Sequence, residues 1–238
     1  MKPILIIKTG NTLDSIRQDH GDFDDWIIKG TGKKRQAFLV APVHEGAYLP
    51  QLNKISAAII TGSHDNITDK LPWMETIGQW LVEASQKQLP ILGICFGHQL
   101  LAHALGGKVG FNPAGWELGY VSVYLKKIVR EDILFSAFPS DVKALVSHAQ
   151  SVLDLPAGAR SLARSSQEEH QAIHFGNYTW GVQFHPEFNC DITRSYITHH
   201  RNDLLSENQD PEELLSACRE SKWGTVLLKQ FVKIVENV

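Results

Sequence analysis

The chain has 238 residues, of which 43% are hydrophobic, and a formal net charge of -3 at neutral pH. That length can bury one substantial core, so we expect a single domain over residues 1–238. The small negative charge gives no general attraction to nucleic acid or to an anionic membrane, and we expect neither as a partner. Three widely spaced cysteines do not suggest a disulfide framework, and no apolar stretch is long enough to cross a bilayer, so a cytoplasmic protein is expected.

Short apolar runs in the first half of the chain predict strands that are buried on both faces, as in a parallel sheet. They cover residues 4–7, 37–43, 55–60 and 91–95. Between the last two runs, Met74, Ile77 and Leu81 fall at helical spacing and predict a helix over residues 73–88. A further helix is predicted from residue 99 until the glycines at 106–107 stop it.

The second half of the chain has a different pattern. Residues 117–125 and 170–184 alternate or favour β-branched and aromatic types, which predicts partly antiparallel strands with a hairpin turn at 176–177. Residues 191–205 and 226–238 predict amphipathic helices. We expect these helices, from about residue 191 onward, to pack on the domain, with contact to a partner as the alternative. The predicted fold is α/β, with an open, mostly parallel sheet flanked by helices.

Cys95 lies between the predicted strand at 91–95 and the helix that follows, with Gly93 and Gly97 two residues away on either side. Glycines at these positions allow a sharp turn from strand to helix that displays the side chain at the corner, as in a nucleophile elbow. The positive end of the helix dipole favours a thiolate there, and free backbone N–H groups can receive an oxyanion. The position therefore suits acyl transfer by the thiol.

A thiol of ordinary pKa, about 8.5, needs a base at neutral pH. Residues 180–187 predict a strand that ends in His185, Pro186 and Glu187. Because proline favours an extended conformation in the preceding residue, we expect His185 and Glu187 to face the same way. Taken singly, Cys95 could be a packing residue and His185 a solvated residue of a turn. Together and in this order, they indicate a Cys-His-Glu triad.

These two motifs resemble those of a known family. Gly-Ile-Cys-Phe-Gly-His-Gln at 93–99, followed by Gly-Val-Gln-Phe-His-Pro-Glu at 181–187, is similar to the class I, triad-type glutamine amidotransferases. The resemblance implies a flavodoxin-like fold in which Cys95 is the nucleophile, His185 the base and Glu187 the orienting acid. It also implies hydrolysis of the γ-amide of glutamine through a γ-glutamyl thioester, which releases glutamate and ammonia.

The resemblance extends to other site residues. It implies an oxyanion hole formed by the N–H groups of Gly62 and Phe96. Around Gly62, relatives often show Gly-Gly-Pro, whereas this chain has Thr-Gly-Ser at 61–63. It implies contacts to the substrate from Gln99, Ser147 and His148.

The local sequence is most similar to the glutaminase part of GMP synthase and to stand-alone γ-glutamyl peptidases. Gln150 stands where the GMP synthase relatives have aspartate, which argues against coupling to that synthase.

The motifs leave the fate of the products open. A separate synthetase chain could receive the ammonia, or the protein could be a free-standing γ-glutamyl peptide hydrolase; a non-catalytic glutamine-binding regulatory module is a third possibility. The remaining histidines, including those at 170, 174, 199 and 200, show no metal-ligand spacing, so neither a metal nor a cofactor is expected. Cys190 and Cys218 are assigned no function and are expected to be packing residues.

Overall fold

The structure, a computed structural model, describes residues 2–238 and forms two sheets. The strands are β1 (Ile4–Lys8), β2 (Phe38–Pro42), β3 (Ala57–Ile60), β4 (Ile91–Ile94), β5 (Lys108–Phe111), β6 (Glu117–Leu125), β7 (Asp141–His148), β8 (Gln150–Asp154), β9 (Arg160–Arg164), β10 (Ala172–Gly176) and β11 (Thr179–Val182). The α-helices are α1 (Asp14–His20), α2 (Phe23–Thr31), α3 (Pro72–Gln86), α4 (Phe96–Ala104), α5 (Cys190–His199), α6 (Arg201–Ser206), α7 (Pro211–Ala217) and α8 (Lys222–Asn237).

The main sheet has nine strands in the order β2-β1-β3-β4-β11-β10-β9-β6-β7. The first five of these pair in parallel, and the remaining pairs are antiparallel. A separate two-stranded sheet joins β5 to β8 in antiparallel fashion. The open, mostly parallel sheet expected for the first half is confirmed, and so is the partly antiparallel second half.

The parallel strands are buried on both faces, as their apolar runs predict. In β1, Ile4 and Ile6 pack in one core with α2 and α8, whereas Leu5 and Ile7 pack in another core with α3 and α4. Successive side chains of a strand point to opposite faces, so one short apolar run supplies both layers. The result is a sheet with helices on each side, which places the carboxyl ends of β1, β3 and β4 at one edge.

The structure differs from the sequence prediction in two ways. The predicted helix at 191–205 is two helices, because the backbone at His200 (φ -89°, ψ 17°) leaves the helical region, although the Leu204 N–H still donates to the His200 carbonyl at 3.0 Å. The sequence patterns also did not reveal several helices and strands, which are short or only partly buried. These elements are α1, α2, α7, β5, β7, β8 and β9.

Within residues 2–238, no helix is both long and apolar enough to span a membrane.

Gly93 and Gly97 allow a close approach between α4 and the sheet. A Cβ atom on Gly93 would lie 2.5 Å from the carbonyl oxygen of Gly97, and one on Gly97 would lie 2.6 Å from the carbonyl oxygen of Ile60. Neither glycine has a positive φ, so they allow the sharp turn through close packing and not through an unusual backbone conformation. They let the first turn of α4 press directly against β3 and β4.

We predict that Gly93→Ala destabilises the protein by about 3 kcal/mol, because the two nearest atoms that its methyl group would meet are backbone atoms of Gly97, which cannot move aside. Gly78→Ala is a matched control: its methyl group would lie 3.5 Å from Ala104 Cβ, an ordinary contact, inside helix α3. That change should stabilise the protein by up to about 1 kcal/mol. Urea unfolding of both variants measures the difference; equal stability of the two would contradict this account of the packing.

Candidate active site

Cys95 makes the turn between β4 and α4. Its backbone has φ 50° and ψ -105°, a conformation that costs a non-glycine residue about 1–3 kcal/mol. The Cys95 N–H donates to the Val182 carbonyl at 2.8 Å, so the pairing of β4 with β11 continues into the corner. This pairing and the close packing of α4 hold the thiol in its strained position at the N-terminus of the helix.

His185 and Glu187 lie just beyond the end of β11. The strand stops at Val182, and Pro186 and Glu187 lie in a turn, with the Phe188 N–H 3.3 Å from the His185 carbonyl. The expected extended backbone through His-Pro-Glu is therefore wrong, because this hydrogen bond folds the segment back on itself. The side chains meet nevertheless, and His185 Nδ1 lies 2.8 Å from Glu187 Oε1.

The imidazole of His185 is buried and tightly packed. The ring of Phe188 stacks on it with the centroids 3.9 Å apart. Burial lowers the pKa of His185, but the negative charge of Glu187, together with the interaction with Cys95, outweighs this effect and raises the pKa to about 10. The Glu187 side chain is fully buried and its Oε2 has no partner within residues 2–238, so the charge of this carboxylate is compensated by His185.

The thiol of Cys95 has two polar neighbours. It donates to the Ser147 carbonyl at 3.6 Å, and the Gln183 amide nitrogen lies 3.5 Å from the sulfur. The Gln183 side chain also accepts a hydrogen bond of 3.0 Å from Gln99. Sequence reasoning gave Gln183 no role although it lies within the second motif; a glutamine in a strand pattern two residues before a histidine was the available signal.

The loop after β3 is fastened by hydroxyl groups. The Thr61 carbonyl accepts from the Gly97 N–H at 3.1 Å and from the Thr9 hydroxyl at 3.0 Å. Because a trans peptide is planar, holding this carbonyl also fixes the direction of the Gly62 N–H. Thr9 was not identified from the sequence, since a single threonine after a strand carries no distinctive pattern.

The N–H groups of Gly62 and Phe96 are free donors. Neither donates a hydrogen bond to another atom of residues 2–238, which for Phe96 follows from its place in the first turn of α4. Gly62 lies next to the base, because a Cβ atom there would come within 3.0 Å of His185 Cε1. Two unpaired donors thus flank the corner that carries Cys95.

A cavity of about 400 Å³ opens above Cys95. Its lining includes Cys95, Phe96, Gln99 and His185, together with the segment 147–150 that follows β7. Gln99 is buried, and its amide nitrogen donates to the Gln150 carbonyl at 2.7 Å. The structure therefore brings the predicted nucleophile, base and substrate-contacting residues to one cavity.

His148 lines the cavity, but both of its ring nitrogens are engaged. Nδ1 lies 3.0 Å from the Gln150 carbonyl and Nε2 lies 2.9 Å from Glu117 Oε2. The ring is thus held between a backbone carbonyl and the buried side chain of Glu117, which fixes its orientation. Glu117 was missed by sequence reasoning; a carboxylate at the start of an otherwise apolar strand was the signal.

The other cysteines lie away from the cavity. Cys190 and Cys218 are buried with their sulfur atoms 2.7 Å apart, and burial together with the hydrogen bond to Cys190 raises the pKa of Cys218 to about 12. No group of three or more potential metal ligands occurs among residues 2–238.

This arrangement has the parts that acyl transfer needs. A thiol sits at a helix N-terminus, an imidazole–carboxylate pair can move its proton, and two free N–H groups can receive an oxyanion. The cavity gives a substrate access to the thiol, the imidazole and Phe96.

Comparison with known proteins points the same way. Residues 21–201 match the model of the family described as glutamine amidotransferase class-I. The chain is 28% identical to γ-glutamyl peptidase 5 of Arabidopsis thaliana, covering 92% of this chain and 90% of that protein. It is 31% identical to a subunit of the glutamine-hydrolysing GMP synthase of Saccharolobus solfataricus, covering 70% of this chain and 85% of that one.

A solved structure shares the fold. The crystal structure of a glutamine amidotransferase from Thermotoga maritima superposes with a TM-score of 0.78 at 23% identity and covers 100% of both chains.

We predict that Glu187→Gln destabilises the protein in a pH-dependent way. Because the pKa of His185 is raised in the folded state, its protonation stabilises the fold fully below about pH 6.5, and this contribution is lost as the pH rises towards 10. Removing the carboxylate should therefore cost about 2 to 4 kcal/mol at pH 6 and much less at pH 10.

Urea midpoints at the two pH values measure this effect. Glu45→Gln is the matched control, since Glu45 is exposed and lies 3.4 Å from His44. It should change the free energy of unfolding by less than about 1 kcal/mol at either pH. An equal cost of Glu187→Gln at both pH values would show that the carboxylate does not hold a proton on His185.

Proposed function

Because the chain belongs to the class I glutamine amidotransferase family, we propose that it hydrolyses the γ-amide of glutamine through a γ-glutamyl thioester on Cys95, releasing glutamate and ammonia. The observation that carries the proposal is the placement of Cys95 at a strained strand-to-helix corner of the same cavity that holds His185, itself hydrogen-bonded to Glu187. Such a corner costs stability and persists only where the surrounding structure enforces it.

The first half of the reaction is acylation. Because the pKa of His185 is raised to about 10, its imidazolium holds the proton given up by Cys95, and the sulfur attacks the amide carbon of the substrate. The carbonyl oxygen becomes an oxyanion that the N–H groups of Gly62 and Phe96 receive. When the C–N bond breaks, the imidazolium gives its proton to the departing nitrogen, and ammonia leaves with the acyl group held as a thioester.

The second half is deacylation. Water attacks the thioester carbon while His185 takes a proton from it, the C–S bond breaks and Cys95 regains a proton as glutamate leaves. Glu187 keeps its negative charge throughout, which orients the imidazole and stabilises its cationic form. The segment 147–150 would contact the amino-acid end of the substrate, held in place by the pair of His148 and Glu117.

A specific observation favours a second candidate, a free-standing γ-glutamyl peptide hydrolase. The loop between β3 and α3 is fastened at both ends within this chain. Thr9 holds Thr61 at its start, and the Gln150 side chain accepts from the Ile67 N–H at 3.0 Å and donates to the Thr68 hydroxyl at 2.7 Å. An oxyanion donor already fixed in this way does not need a partner to form, which suits an enzyme that acts alone.

We predict that a diazo-ketone analogue of glutamine labels Cys95 and spares Cys190 and Cys218. Cys95 faces the cavity, whereas the other two thiols are buried against each other and the pKa of Cys218 is raised, which disfavours its thiolate. Mass mapping of the peptides identifies the modified residue. Cys95→Ala should abolish the label and Cys218→Ala should retain it; labelling chiefly at Cys190 or Cys218 would refute the assignment of the nucleophile.

A substrate panel tests the proposed function and separates its two forms. The purified protein is assayed for release of glutamate from glutamine, from γ-glutamyl dipeptides and from matched α-linked dipeptides, with and without cell extract. We expect hydrolysis of γ-linked but not of α-linked compounds by the protein alone, and none by the Cys95→Ala variant.

The outcomes of the panel are distinct. Activity on glutamine only after extract is added would indicate a partner-dependent amidotransferase and refute the free-standing form. Failure to act on any γ-glutamyl compound, with or without extract, would refute hydrolysis altogether and leave a glutamine-binding module.

A further inference from the structure

An aromatic wall extends from the candidate base to the mouth of the cavity. Four rings that line the cavity form it: His64, Trp116, Tyr196 and His200. Phe188, which stacks on His185, packs against Tyr196 with the centroids 5.2 Å apart, and the ring of Tyr196 is nearly parallel to that of His64 at 5.7 Å. The rings of Trp116 and His200 are in contact at 4.4 Å. The wall therefore begins where the leaving nitrogen of a substrate would receive its proton.

The rings of the aromatic wall are individually anchored. The Tyr196 hydroxyl is hydrogen-bonded to the Thr12 hydroxyl at 3.0 Å, and His200 Nδ1 lies 3.0 Å from Asp203. The backbone of Trp116 is held on both sides: its N–H donates to Glu207 at 2.7 Å and its carbonyl accepts from Gln209 at 2.8 Å. A surface whose side chains are fixed before binding loses little entropy when a ligand is added.

Hydrolysis of glutamine does not use this wall. The group released from glutamine is ammonia, and its single nitrogen atom would lie beside His185. A leaving group of this size touches none of the four rings. The glutamyl end is assigned to residues 147–150, none of which belongs to the wall. A cavity of about 400 Å³ lies within the range of small-molecule sites, ~300–1,000 Å³, so it has room for a substituent on the amide nitrogen.

The charges around the cavity restrict what that substituent can be. Among its lining residues within 2–238 there is no lysine or arginine, whereas Asp65 and Glu207 are both present. A carboxylate on the leaving group would therefore find no lysine or arginine to pair with. It would instead be repelled by the two carboxylates. Flat apolar groups, in contrast, gain offset or edge-on contacts with aromatic rings.

We propose that the aromatic wall is a leaving-group subsite that selects γ-glutamyl amides whose amine carries an aromatic or flat apolar substituent and no carboxylate. The inference rests on the proposed hydrolysis at Cys95 and specifies its substrate class. Trp116 is the central specificity-determining residue, because it supplies the largest ring of the wall and that ring contacts His200, on a backbone held by Glu207 and Gln209.

The experiment compares γ-glutamyl phenethylamide with γ-glutamyl ethylamide, and with γ-glutamyl phenylalanine, which adds only a carboxylate. For the wild-type protein, kcat/KM should be highest for the phenethylamide. In Trp116→Ala the ratio of kcat/KM for phenethylamide to that for ethylamide should fall about 10-fold, and in Trp116→Phe by less than about 3-fold. Taking this ratio between variants cancels the intrinsic reactivity of the two amides.

Tyr48→Ala is the matched control, since Tyr48 is 96% exposed and lies outside the cavity lining. It should change neither the ratio nor the activity on either amide. Equal losses on both amides in Trp116→Ala, or a wild-type preference for γ-glutamyl phenylalanine, would overturn the subsite.

A binding measurement separates this inference from the proposed function. Calorimetry on the Cys95→Ala protein, which cannot form the thioester, should show about 10-fold tighter binding of the phenethylamide than of the ethylamide, and Trp116→Ala in that background should remove the difference. Turnover of the ethylamide without such a binding difference refutes the subsite and leaves hydrolysis standing. A binding difference without turnover of any γ-glutamyl amide supports the subsite and refutes hydrolysis.

Discussion

The pairing of β11 with β4 is the contact on which the rest of the site depends. These parallel neighbours align Val182 with Ile94, and the alignment runs on into the corner through the hydrogen bond from Cys95 to Val182. Because a parallel pair sends both chains out of the sheet at the same edge, the residues that follow each strand meet there. That is why a thiol and an imidazole far apart in sequence share one cavity.

Glycine at facing positions makes this pairing possible. Gly93 and Gly181 are partners in the register, and a Cβ atom on Gly181 would lie 2.5 Å from the buried ring of His98. The centre of the sheet is thus filled by α4 and its side chains at atomic contact. The strain at Cys95 is maintained by this packing, so the local cost of the unusual backbone at Cys95 and the tight core beneath it are two aspects of one arrangement.

The sequence predicted those helices and strands whose residues show a clear local pattern of apolar side chains. The apolar runs at β1, β3 and β4 and the spacing within α3 were enough to place the parallel half, and the corner at Cys95 was correctly located between strand and helix. Glu117, Gln183 and Thr9 could not be found in this way, because their partners come from distant segments. The hydrogen bond between Glu117 and His148, for example, spans 31 residues and depends on the register of β6 with β7.

The position of β11 in the chain also matters for how the protein is made. His185 follows Cys95 by 90 residues, and synthesis proceeds at about 5–20 residues per second, so the thiol is on the ribosome for about 5 to 20 seconds before its base has been added. During that time β4 lacks its neighbour β11, and the corner lacks the Val182 carbonyl that holds it. In a new chain the strained corner at residue 95 is therefore not yet held, and it can form only after synthesis has passed β11 and the centre of the sheet has closed.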